Sequence, residues 1–180
     1  HFNLYTPDDI FENNLDIKSR APVIVYDDDH FYMASVIAEK LALDGYKVTY
    51  ATPLASVATW TGLTLEQDKI INKLNNLNVQ FKVNCKLNSN GKFINTLSRD
   101  IEDFNTENII FVGARLQKDG LYNQAKEKMN NKNIFSTGDC VAPGMIQAAV
   151  LSGHTVARSI IEGDKDGFFL RDQIERFEFN

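Results

Sequence analysis

Apolar and polar positions along the chain follow two periods, and each change of period marks an element. From Pro22 an apolar run covers Val23, Ile24, Val25 and Tyr26. Met33, Val36, Ile37 and Leu41 then recur at helical spacing, and after Gly45 a β-rich run covers residues 48–51. This pattern predicts a strand, a helix and a second strand parallel to the first. Upstream, Thr6-Pro7-Asp8-Asp9 reads as a helix start, with threonine at the N-cap, proline in the first turn and a carboxylate three residues on. A short helix over 11–15 should follow, and residues 19–21 connect it to the strand.

Downstream, residues 54–62 are irregular and hold Trp60. Thr64 is placed to cap a helix carrying Leu65, Ile70, Ile71 and Leu74 on one face. Val79, Phe81 and Val83 alternate as in a strand, and Asn90-Gly91 between residues 86–87 and 93–94 is a hairpin signal. The polar stretch 97–108 reads as a loop. Residues 109–112 read as a buried strand ending in Gly113, Ala114 and Arg115, and 121–129 as a short helix with a polar exit over 130–132. Ile134 and Phe135 suggest a last short strand. Pro143 then opens a helix through Met145, Ile146, Ala149, Leu151, Val156, Ile160 and Ile161, apolar on most sides and so expected to be buried. The tail carries Phe168, Phe169, Phe177 and Phe179 among charges and needs a partner surface. The chain shows no internal repeat and no low-complexity segment.

A strand–helix–strand unit binds a dinucleotide when its first turn is glycine-rich, because glycine lets the backbone approach the pyrophosphate at the helix N-terminus. Here that turn reads Asp27, Asp28, Asp29, His30, Phe31, Tyr32, with no glycine. Two like charges about 4 Å apart repel by roughly 4 kcal/mol near a protein surface. A micromolar ligand has only about 8 kcal/mol in total. One or two carboxylates facing the site would therefore abolish useful binding. The second strand agrees: a ribose-binding carboxylate lies about 20 residues past the glycines, and Tyr50, Ala51, Thr52 and Pro53 stand there instead. The expectation is a nucleotide-binding frame whose pyridine-nucleotide site has been lost.

The 180 residues suffice for one domain, or one domain and part of another, with a sizeable core. A net charge of −5 gives no electrostatic reason to expect nucleic acid or an anionic membrane as partner. No apolar run reaches the length of a membrane span, and no signal peptide opens the chain. Cys85 and Cys140 are too few for a disulfide framework or a four-thiolate cluster, and read as two reduced cysteines of a cytoplasmic protein. The first residue is His1 rather than Met, which reads as a cut chain with a tag remnant or a fragment of a longer one.

The same residues suggest other chemistries. Asp27, Asp28, Asp29 and His30 supply hard ligands for a metal, but adjacent residues at a strand end rarely converge on one ion. The acidic start also resembles a phosphate-accepting receiver domain holding Mg²⁺. That fold needs an aspartate after its third strand, where this chain has Asn84 and Cys85. Arg115 is a phosphate clamp or, more simply, a strand-end salt bridge. His154 is expected to be a packing or hydrogen-bonding histidine, and Trp60 to be core or interface. Asp139 is either a nucleotide-side residue or a helix-capping carboxylate. No nucleophile-and-base constellation or phosphate loop is present.

The order of elements, with a strand ending in Gly-x-Arg at Gly113 to Arg115, resembles the pyridine-nucleotide domain of the flavoprotein reductases that bind two dinucleotides. The run IFSTGDCVAPGMIQAAVLSGHTVARSI resembles their closing flavin-side segment. More closely, DDDHFYMASVIAEKLALDGYKVT, TGLTLEQ and STGDCVAPGMIQAAVLSGHTVARSI resemble the C-terminal region of the trimethylamine, dimethylamine and histamine dehydrogenases, and more distantly 2,4-dienoyl-CoA reductase. The resemblance covers roughly residues 22–162.

It implies an α/β, three-layer, Rossmann-like domain of the FAD/NAD(P)-binding type, with a parallel sheet and a small β-hairpin. Residues 1–21 would be a lead-in, 22–132 the pseudo-NAD(P) domain, and 133–180 the closing segment of an adjoining FAD/ADP-type domain with its tail. It further implies an upstream barrel domain of the same chain with FMN, a 4Fe-4S cluster and the amine chemistry. A small amine would bind there, and an electron-transfer flavoprotein would take the electrons. A homodimer is compatible with it. Gly138 and Asp139, with the helix start near Gly144 and Met145, are the residues that carry over to the ADP side. Two roles follow for the chain itself, a catalytically silent scaffold or an ADP-binding module.

Overall fold

The computed structural model describes residues 2–12, 15–18, 20–104, 106–129 and 134–162. It divides into two compact units, His1–Ala114 and Arg115–Asn180.

The first unit runs β1 (Asn3–Tyr5), α1 (Pro7–Phe11), β2 (Pro22–Asp27), α2 (Met33–Leu43), β3 (Lys47–Ala51), a 3₁₀ segment (Thr59–Thr64), α3 (Gln67–Asn76), β4 (Gln80–Lys82), β5 (Cys85–Leu87), β6 (Phe93–Asn95), β7 (Ile101–Glu102) and β8 (Asn108–Val112). Five strands form a parallel sheet in the order β1-β8-β2-β3-β4. The other three, β5-β6-β7, form a small antiparallel sheet.

The central strand explains the layering. Every residue of β2 after Pro22 is buried, as a strand covered on both faces requires. Val23 and Val25 pack with Ala34, Ile37, Ala38 and Leu41 of α2, while Ile24 and Tyr26 pack with Cys85 and Phe93 of the small sheet. Helices therefore lie on one face and the antiparallel sheet on the other. Tyr26 joins the two sheets: its ring lies 5.8 Å from Phe93 and 5.6 Å from Phe111, and its hydroxyl accepts the Leu87 N–H at 3.2 Å.

The parallel β2–α2–β3 unit and the 109–112 strand lie where the periods put them, and the hairpin joins β5 to β6. Asn88 orders its loop by accepting the N–H groups of Asn90 and Lys92, and Gly91 takes a φ of +74°. Other expectations are corrected. Part of the lead-in is a strand of the sheet, since Asn3–Tyr5 pairs with β8. The Thr6–Asp9 capping box does form, but its helix ends at Phe11. Thr64 closes the 3₁₀ segment rather than capping α3, which starts at Gln67, and Leu65 between them has φ +60° and is 92% exposed. The stretch 97–108 is not all loop, because Ile101–Glu102 pairs with β6 and Asn108 begins β8.

The second unit holds α4 (Gly120–Met129), a 3₁₀ turn (Gly138–Cys140) and α5 (Ile146–Glu162). Ile134 and Phe135 form no strand, and among the described residues this unit has none for them to pair with. The long helix starts at Ile146, three residues after Pro143. Instead of being buried, Ile146, Val150, Leu151 and Ile160 of α5 are exposed, Ile146 by 82%. The 130–132 exit and the aromatic tail lie outside the described residues.

Because Ile110 is fully buried between β2 and β1, Ile110→Ala should lower stability by roughly 2–5 kcal/mol, and Thr6→Ala at the exposed cap by only about 1 kcal/mol. Equilibrium urea unfolding of both variants checks the order; comparable losses would contradict the assignment of the core.

Candidate functional site

In a parallel sheet the crevice for a ligand opens at the carboxyl ends of the strands, where successive connections leave in opposite directions. Here that point lies at the ends of β2 and β8, since β2 connects onward to β3 on one side while β8 lies on the other. The loop that crosses it is 28–32.

Strand alternation sets the geometry of this loop. Asp27 continues the face of Val23 and Val25, so its side chain turns in under α2 and is fully buried. Its Oδ1 accepts the N–H of His30 at 2.7 Å and of Asp29 at 3.2 Å. Its Oδ2 accepts the hydroxyl of Tyr50, fully buried on β3, at 2.7 Å. The Asp28 N–H donates to the Val112 carbonyl at 2.7 Å, closing the loop against β8. His30 has φ +66°, in the left-handed region, and its carbonyl accepts the Trp60 N–H at 3.0 Å. Its Nδ1 is buried, makes no hydrogen bond and lies 3.9 Å from Asp27 Oδ2.

Burial holds the Asp27 carboxyl above the usual carboxylate range, against the opposing pull of the hydrogen bonds from Tyr50, His30 and Asp29. Burial first, and then the Asp27 charge, raise the Tyr50 phenol. Ser35, buried near the start of α2, stands beside the Tyr50 hydroxyl and opposes that rise.

The three adjacent aspartates therefore do not act alike. Asp27 points inward, Asp28 is exposed and Asp29 is half-buried. Among the described residues no group of three or more His, Cys, Asp or Glu side chains is placed to hold a metal. Three of the loop's amides have partners within the chain, those of Asp29 and His30 on Asp27 and that of Asp28 on the Val112 carbonyl, and the Phe31 ring lies 6.4 Å from that of Trp60. The position that would carry a receiver's aspartate holds Asn84, at φ +53°.

Tyr50 and Ser35 escape a reading for chemistry, yet alternation from Val48 and from Val23 to Asp27 places Tyr50 and Asp27 on one face. The residues expected on the ADP side come together in one turn of the second unit. Gly138, at φ +68°, donates its N–H to Ser152 Oγ at 3.1 Å, and Asp139 Oδ1 accepts the Gly144 N–H at 3.4 Å. Met145 immediately precedes α5, and its carbonyl accepts the N–H groups of Ala148 and Ala149. The Asp139 contact is one that a capping carboxylate makes. His154, expected to pack, is exposed on α5; Arg115 opens the second unit; and Trp60 is 44% exposed beside Phe31. Burial pushes the Cys85 thiol up to about 11, as for an unreactive core cysteine.

Residues 5–92 match the family described as the OYE-like second alpha/beta domain. Dimethylamine dehydrogenase of Hyphomicrobium sp. (strain x) is 26% identical over 191 residues, which cover 90% of this chain and 25% of that protein. Among solved structures, histamine dehydrogenase from Rhizobium sp. 4-9 is 29% identical with a TM-score of 0.79, over 93% of this chain and 28% of that one. The 6-hydroxypseudooxynicotine amine oxidase of Pseudomonas geniculata N1 is 32% identical with a TM-score of 0.77, over 85% of this chain and 24% of that one. The HOCl-induced flavoprotein disulfide reductase RclA of Escherichia coli, 13% identical with a TM-score of 0.51 over 90% of this chain and 40% of that one, shares the fold alone. The chain spans about a quarter of the length of the amine-oxidising relatives.

Because the native Asp27 pKa is raised, folding favours its protonated form. Its contribution to stability is greatest below the unfolded value of 3.8 and falls as pH rises through the native pKa. Tyr50→Phe removes a donor to the ionised form and raises that pKa further. The variant should lose about 1–3 kcal/mol near neutral pH and less near pH 4; urea unfolding at the two pH values checks it, and an equal loss at both would contradict it.

Proposed function

We propose that this chain, homologous to the dimethylamine and histamine dehydrogenases and carrying an OYE-like second α/β domain over residues 5–92, is a non-catalytic scaffold domain of an amine dehydrogenase. The whole protein belongs with the trimethylamine dehydrogenase-like enzymes, related to 2,4-dienoyl-CoA reductase. In this reading the chemistry lies in a barrel domain elsewhere in the same chain, with FMN and a 4Fe-4S cluster. It oxidises a small amine and passes electrons to an electron-transfer flavoprotein in the cytoplasm. Among the described residues no helix is long and apolar enough to cross a membrane. The fold is of the Rossmann-like FAD/NAD(P)-binding type, with its pyridine-nucleotide site lost.

The observation that carries the scaffold role is the satisfied loop at the end of β2, whose amides are bonded to Asp27 and Val112. The proximity of Gly138, Asp139, Gly144 and Met145 at the start of α5 favours a second reading, an ADP-binding module on the second unit.

Calorimetric titration of the chain with NADPH and with ADP decides between them. The scaffold predicts no saturable heat with either ligand up to about 1 mM, a concentration that would detect binding of roughly 4 kcal/mol. Heat with ADP alone transfers the assignment to the module, and saturable binding of NADPH contradicts the loss of that site. The full-length protein should oxidise a methylated or primary amine with an artificial electron acceptor and without NADP⁺; strict dependence on NADP⁺ would overturn the class.

A further inference from the structure

We propose that Asp27 is a resident anion: its carboxylate occupies, from within the chain, the loop amides that a ligand diphosphate would take in a strand–turn–helix unit. The inference deepens the scaffold reading and rests on it. It replaces repulsion by the aspartates with occupancy by one of them as the reason no nucleotide binds.

The geometry supports occupancy in three ways. First, the two amide donors converge on one oxygen, with His30 N at 2.7 Å and Asp29 N at 3.2 Å from Asp27 Oδ1. A left-handed residue in such a turn swings successive N–H groups toward a single anion, the arrangement by which backbone concavities bind phosphate. His30 adopts that conformation without being glycine, at φ +66°. Second, the carboxylate is held from behind by the Tyr50 hydroxyl, so both oxygens are used. Among the described residues no other carboxylate is buried. Third, the loop is closed from outside, since the Trp60 N–H donates to the His30 carbonyl and the Phe31 and Trp60 rings lie 6.4 Å apart.

Asp28 and Asp29, more exposed, are left to explain a repulsive effect, and this separates the two accounts. If repulsion alone keeps nucleotides out, neutralising those two side chains opens the loop. If Asp27 fills the loop, neutralising them does nothing until Asp27 is also removed.

The test measures binding of inorganic pyrophosphate and of ADP to four folded proteins: wild type, Asp28→Asn/Asp29→Asn, and that pair combined with Asp27→Ala or with Asp27→Ser. Circular dichroism and thermal unfolding verify folding. Wild type and the double variant should be silent, and the triple variants should bind pyrophosphate at least tenfold more tightly than the double variant. Binding by the double variant equal to that of the triple variants overturns the proposal in favour of repulsion; silent, folded triple variants overturn it without favouring repulsion. Binding at this loop by the wild type would instead overturn the scaffold reading itself. Should neither triple variant fold, the wild type still decides: NMR should detect a scalar coupling across the hydrogen bond from the His30 nitrogen to the Asp27 carboxyl carbon, and its absence would overturn the proposal.

Discussion

A carboxylate buried at the end of the central strand is the constraint on which the loop at the sheet's C-terminal edge depends. Removing a charge from water costs several kcal/mol unless hydrogen bonds compensate it. Here they come from the Tyr50 hydroxyl and from the amides of Asp29 and His30. The demand fixes much around it: a tyrosine, rather than an aliphatic residue, in the buried face of β3; a left-handed His30; and a 28–32 loop drawn tightly across the end of β2. The donors that quiet Asp27 are of the kind with which this architecture ordinarily greets an anion.

The layers on either side of the sheet give this loop a rigid base. On the helix side, Val23, Val25, Ile37 and Leu41 meet in one core; on the other, Tyr26, Phe93, Phe104 and Phe111 pack ring against ring, with Phe93 and Phe104 only 4.6 Å apart. A sheet supported this way resists deformation, which suits the scaffold role proposed for it. The match to histamine dehydrogenase covers 93% of this chain, whereas the likeness to a flavoprotein disulfide reductase is one of fold alone.

The fold was most legible where periodicity is long. The apolar run of β2, the helical spacing of α2 and the Thr6–Asp9 capping box depend on residues that stand next to one another in sequence, so they can be read directly. Edge elements were not legible. The Asn3–Tyr5 and Ile101–Glu102 strands are three and two residues long and exist because β8 and β6 lie beside them. The start of α3 was misplaced because Thr64 resembles a cap, while the chain spends Thr59–Thr64 in a 3₁₀ segment first. At the candidate site, charge distracted from register. Alternation already placed Asp27 on the face of Val25, and only its polar identity suggested that it pointed outward. The donors that make this burial tolerable are backbone amides and a tyrosine 23 residues away, which no local motif announces.

On the proposed reading, the loop after β2 is complete without a nucleotide. A crystal of the chain soaked in millimolar NADPH tests it most directly. The account predicts that the Asp27 carboxylate stays bonded to the His30 and Asp29 amides with no cofactor density over the loop. An ordered diphosphate seated on those amides, with the Asp27 side chain turned away, would contradict it.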